Sequence, residues 1–268
     1  MKHLVGGLLV VAACSAPQPG APPHNVAPPE GLRIPRSQSL GAFGIAPAPS
    51  GDSELPGFIP VHAAYRLITT PAMPVRFDKP FLAIGTRGGL SAYTPAPAAT
   101  IPFGCDNNQL EVTPFVGKPL PPGVVWIMPP EGPPPAWNPE AVPVQVTRST
   151  PERTQFTAGP VVIELARTTP TTGQLTIAHD GRTVHTLPFE RSAMDGADPA
   201  SMVIDLTERE LQGIPSPVGA WSIVPGGPVL LALHTPGWEG STLSGILVED
   251  DRVRAEDALS VYLYRCAF

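Results

Sequence analysis

The stretch Thr176-Ile177-Ala178-His179-Asp180-Gly181-Arg182-Thr183-Val184-His185 decides the fold class. Asp-Gly sits between two runs that alternate apolar and polar residues. That is the strongest short-range signal for a β-hairpin, because a two-residue turn of the right twist needs positive φ at both central positions. A turn at Asp180-Gly181 pairs His179 with Arg182, Ile177 with Val184 and Thr176 with His185. On that register His179 and His185 fall on opposite faces.

Outward from this hairpin the same texture repeats. Short apolar runs rich in β-branched and aromatic residues occur at 61–70, 81–86, 110–115, 124–128, 142–148, 161–167, 174–179, 182–189, 202–206, 220–224, 229–235, 242–249 and 259–266. Gly, Pro, Asp or Asn clusters bound most of them, which is the strand pattern. Period-3.6 patterning is almost absent. The one helix candidate is Thr207–Gly213, where Thr207 and Glu210 form a capping box and Gly213 suits the residue after the C-cap. The fold class expected is therefore all-β: a β-sandwich, jelly-roll or immunoglobulin-like, with long Pro-rich loops and at most one short helix. The last run, Leu259–Cys266, has apolar groups on both faces and reads as a central, covered strand.

Composition limits the function. The chain has 268 residues, with 38 Pro and 26 Gly, so about a quarter of it is turn-forming. Only 15% of residues are charged but 42% are hydrophobic, so the chain can bury a core. Lys and Arg number 17 against 23 Asp and Glu, a net charge of −6, which argues against nucleic acid as a partner.

Lys2 and His3 precede the apolar run Leu4–Ala13, which ends at Cys14. About ten residues span roughly 15 Å as a helix, half of a bilayer core of about 30 Å, so the run reads as a signal peptide at 1–13 rather than a membrane span. Val11-Ala12-Ala13-Cys14 resembles the lipobox of bacterial lipoproteins. That resemblance implies that Cys14 is acylated (palmitate or a similar chain) and becomes the mature N-terminus, held in a membrane by several chains. Ser15 at the next position resembles lipoproteins released to the outer membrane, on its periplasmic or surface side. Residues 14–60 are threaded with proline and read as a lipidated, extended tether. Within it, 31–45 carries Leu32, Ile34, Leu40, Phe43 and Ile45, but a solvated linker is the expectation. The folded head is expected at 61–268, with 61–128 and 141–268 as candidate subdomains across the Pro-rich interruption Pro129–Pro139.

With Cys14 lipidated, Cys105 and Cys266 remain as an even pair in an exported chain and are expected to form a disulfide. So long a loop would stabilise by about 5 kcal/mol in the chain-entropy model.

The sequence offers no catalytic signature: no Gly-x-Ser-x-Gly, His-Glu-x-x-His, P-loop or Gly-x-Gly-x-x-Gly. The His179–His185 pair reads as a polar hairpin rather than a zinc site. Asp195–Asp198, Asp250-Asp251 and Cys105–Asn108 read as turns, since none has the spacing of a calcium loop. The Pro-x-x-Pro piece Pro119–Pro122 is a weak peptide-docking signal. Trp137 and Trp238 lie in Pro/Gly loops and are the candidate contacts for a ligand or partner. Expected, then, is a membrane-anchored envelope lipoprotein without cofactor or metal, acting as a non-catalytic binding or scaffold subunit. A carbohydrate-binding module for peptidoglycan or exopolysaccharide is the alternative, and an envelope hydrolase built from scattered acidic residues a more distant one.

Overall fold

The computed structural model describes residues 33–46, 67–69, 80–102, 109–129, 134, 137–191, 202–204, 213–237 and 240–264. Among them are seventeen strands and no helix, so the all-β expectation holds. In chain order these are β1 (Ala42–Ala46), β2 (Leu67–Thr69), β3 (Phe81–Gly85), β4 (Gly88–Pro95), β5 (Ala99–Pro102), β6 (Gln109–Gly117), β7 (Gly123–Ile127), β8 (Glu140–Ala141) and β9 (Gln145–Thr150). There follow β10 (Arg153–Ala158), β11 (Val161–Arg167), β12 (Thr172–His179), β13 (Arg182–Glu190), β14 (Ser216–Ser222), β15 (Val229–Pro236), β16 (Gly240–Val248) and β17 (Val253–Tyr264).

The first seven strands close on themselves. Their order is β2-β1-β7-β3-β4-β6-β5, and β2 also pairs with β6, so six strands form an antiparallel ring with β5 continuing along β6. Alternation explains the closure, because each strand sends one set of side chains inward and the other outward. Ala46, Phe81, Ala83, Tyr93, Phe115, Leu120, Val125 and Ile127 fill the barrel. Leu120, from the Pro-x-x-Pro piece, is thus buried among them. The Tyr93 hydroxyl donates to the Lys118 carbonyl, and burial raises its pKa.

The outward set of the barrel meets the central sheet, β17-β16-β15-β14-β8. Phe43, Ile84, Val124 and Trp126 pack against Trp221, Leu230, Ala232, Leu243 and Leu247. The other face of the same sheet, Ala220, Val229, Leu231, Leu233, Ile246 and Val248, packs against Phe156, Ile163, Leu165, Leu175 and Ile177 of the outer sheet, β13-β12-β11-β10-β9. Strand β15 is buried along its first six residues because its successive side chains enter two different cores. The sheets stack face to face as in a sandwich, but there are three layers. The outer sheet is a meander of neighbouring strands, and the central sheet is one from β14 to β17, with β8 joining beside β14 from before the outer sheet in sequence.

Several local expectations change. Residues 33–46 are not a solvated linker: Ile34, Leu40, Phe43 and Ile45 are buried and β1 is a barrel strand, so this part of the stretch 14–60 belongs to the folded body. Among the described residues, strand β17 pairs only with β16 and lies at an edge rather than at the centre of its sheet. The segment 202–204, read as part of a strand, is instead held across the outer sheet by backbone bonds from Met202 to Pro170 (2.6 Å) and from Ile204 to Pro151 (2.9 Å). Most of the helix candidate lies outside the described residues.

The decisive hairpin forms as a two-residue turn, with φ of 48° at Asp180 and 77° at Gly181, and His179 opposite Arg182. A bulge between Ile177 and Ala178 then shifts the register, so that Ile177 faces His185 rather than Val184. Opposed residues share a face, so His179 and His185 fall on the same side and not on opposite ones.

Candidate functional site

The most tightly specified polar structure lies where the chain enters the folded body. Ile34 is 2% exposed, and side chains from around the β16–β17 turn hold both of its peptide groups. Its N–H donates to Glu249 Oε1 (3.0 Å), and Arg254 Nη1 donates to its carbonyl (2.8 Å). Glu249 is itself buried and pairs with Arg252, and Arg254 pairs with Glu256. One hydrogen bond from the Ile34 N–H and one charge-assisted bond from Arg252 offset the desolvation of the Glu249 carboxylate. The Glu249 bond and charge in turn raise the Arg252 pKa. Outside this clamp, Arg33 meets Asp251 (2.9 Å), and Arg182 of the hairpin donates to the Asp250 carbonyl (2.7 Å). Asp250-Asp251 is therefore a turn, as expected, and its groups are used to pin neighbouring segments.

Past Ile34 the chain makes a turn, with Gln38 N–H donating to Pro35 O (2.9 Å). It then buries Leu40, whose carbonyl accepts from the Trp126 indole N–H (2.6 Å). Gly41 follows at φ 86°. A Cβ there would stand 2.0 Å from the Ile127 carbonyl oxygen, so only glycine lets the chain turn into β1 against β7.

The tryptophans join layers. Trp137 is half-buried, with its ring centroid 6.1 Å from that of Trp126, which is 6.3 Å from that of Trp221. Phe43 extends the row at 5.7 Å from Trp221, and the Trp221 indole donates to the Gly85 carbonyl (3.3 Å). Trp137 thus packs against the seam between barrel and central sheet and presents only part of its ring to solvent. Trp238, Cys14, Cys105 and Cys266 lie outside the described residues, as do Asp195–Asp198.

A cavity of about 310 Å³ opens where the layers meet, lined by Thr86, Arg87, Val142, Pro143, Val144, Val218 and Gly219. It is at the lower end of the range for small-ligand pockets. Among the described residues, no three His, Cys, Asp or Glu side chains gather as a metal site. His179 is buried with Nδ1 3.5 Å from Asp180 Oδ2. His234, opposite Ser216 in the central sheet, is 4% exposed, and desolvation lowers its pKa to about 4.

No protein-family model, curated protein or solved structure matches this chain.

Proposed function

We propose that this chain is a lipid-anchored protein of the bacterial cell envelope whose β body serves as a non-catalytic binding or scaffold subunit. The observation that carries the reading is the run into Val11-Ala12-Ala13-Cys14, followed by a stretch bearing Pro17, Pro19, Pro22, Pro23, Pro28 and Pro29. An acylated Cys14 anchors the chain, and Ser15 favours the outer membrane. The stretch from Cys14 to Arg33 reaches on the order of 60 Å if extended like polyproline. A rigid three-layer body at the end of such a spacer presents surface at a distance from the membrane. The carbohydrate-binding alternative rests on loop tryptophans, and Trp137 commits much of its ring to Trp126.

The test is Cys14→Ala in the native host, with fractionation and labelling by an alkyne-bearing fatty acid. The expected outcome is loss of label and release from the membrane fraction, with a body of unchanged melting temperature. A variant that stays with membranes through high salt refutes the anchor. A purified body that turns over an envelope polymer, with the activity abolished by one acidic substitution, refutes the non-catalytic role.

A further inference from the structure

We propose that residues 33–40 form a strap that opens under tension on the N-terminus before strand β1 is disturbed, giving the tether a reserve of length. The inference rests on the anchored reading for its purpose, but its mechanics belong to the body alone.

Three features set the strap apart from the strand it leads into. First, it belongs to no sheet. At the anchor side it is held by Ile34, whose side chain is buried and whose peptide groups meet Glu249 and Arg254, and by the exposed Arg33–Asp251 pair. By contrast, β1 is paired from Ala42 to Ala46 with β7 and at Ile45 with β2. Second, the contacts load in series. Tension arriving at Arg33 meets the Asp251 pair, then the two peptide groups of Ile34, and only after Leu40 is drawn from its Trp126 bond does it reach the β1 ladder. Contacts broken one at a time yield at lower force than a ladder loaded together. Third, the closed clamp carries a cost. Arg254 Nη2 is buried without a hydrogen-bond partner, a desolvation penalty that opening relieves. The turn at Pro35–Gln38 folds the strap back on itself, so opening releases stored length. Eight residues span at most about 28 Å fully extended, which caps the length that opening can release.

The experiment holds the unlipidated full chain between a handle on Cys14 and one on Arg148→Cys, an exposed position on β9 that spares the C-terminal strand, with Cys105 and Cys266 blocked or oxidised. The expected force–extension trace shows a step of less than about 28 Å ahead of the main rupture. Arg254→Met, which keeps the aliphatic stem and removes the donor to Ile34, abolishes the step or at least halves its force. In the same variant, amide exchange at 34–40 accelerates at least 100-fold while β11 and β12 stay protected, which shows that the body is folded. Glu249→Gln, the milder change, lowers the step force without abolishing it. A single rupture with no preceding step overturns the proposal, since strap and β1 would then move together. So does an unchanged step force in both variants, which would assign the strap to apolar burial alone. Neither result bears on whether Cys14 is acylated.

Discussion

Leu230 and Leu231 are neighbours on β15, both fully buried, yet the three-layer arrangement sends them into different cores. Leu230 lies with Phe43, Ile84 and Trp126 of the barrel side, and Leu231 with Ile163, Leu175 and Ile177 of the outer sheet. Truncating either to alanine removes three carbons, worth about 2.5 kcal/mol of transfer free energy, and the cavity brings the loss to about 3–4 kcal/mol. A body of this size has about 5–15 kcal/mol to lose, so both variants should remain folded. Urea midpoints for the two should fall by similar amounts. The discriminating measurement is residue-resolved amide exchange. Leu230→Ala should loosen β1, β3 and β7, and Leu231→Ala should loosen β10, β11 and β12. Tryptophan emission gives a second readout, because Trp126 and Trp221 lie on the barrel side and should respond only to Leu230→Ala. The two substitutions share strand, residue type and propensity change, so each controls for the other. If both loosen the same sheet, β15 does not divide two cores and the layer assignment is wrong.

Two further outcomes follow from single residues. His234 has its pKa lowered by burial from 6.5 to about 4, so the unfolded chain takes up its proton first as pH falls. It should cost nothing above pH 6.5, with stability declining between 6.5 and 4 by up to about 3 kcal/mol and levelling below that; urea midpoints against pH should flatten across that window in His234→Asn, and parallel profiles would show that the proton lands elsewhere. Cys105 and Cys266, read from the sequence as the pair left over in an exported chain, should appear joined in one peptide of a non-reduced digest, and two free thiols in protein taken from the oxidising compartment would end that reading.

The strands that sequence reveals are those whose apolar residues dominate locally. Val161–Arg167 was legible at both ends because five of its seven residues are aliphatic and Gly159-Pro160 punctuates its start. Strand β10 was not, because Arg153-Thr154-Gln155-Phe156-Thr157-Ala158 hides a buried alternate face behind polar names, and Thr154 is buried like Phe156 and Ala158. Strand β1 was masked by the prolines around it, although Ile34, Leu40, Phe43 and Ile45 stood out as apolar in that stretch. The barrel closure, which depends on β2 meeting β6, has no local signature at all. Nor has the entry clamp, since Ile34 and Glu249 lie 215 positions apart and Glu249-Asp250-Asp251-Arg252 reads locally as any charged turn. The hairpin was legible in its turn but not in its bulge, because a one-residue slip leaves the alternation around Asp-Gly looking the same.

The proline content that first suggests a poorly folded chain takes on a second meaning once the sheets are drawn. Each open edge among the described strands is blunted, and proline or a bulge does it. The barrel has no edge where β2 meets β6, and β5 ends at Pro102 after Pro95 and Pro97. Strand β8 is two residues between Pro139 and Pro143, and β13 carries Pro188 and the bulge beside Val184. Strand β9 is interrupted at Thr147, and β17 carries an insertion between Glu256 and Val261. A body whose described residues form only sheets is exposed to strand addition between copies. Edges blunted on every layer close that route. On the outer sheet, Arg148, Gln155, Glu164, Thr176 and Thr186 form one cross-strand row. Proline in this chain thus helps to keep the body's sheets from growing.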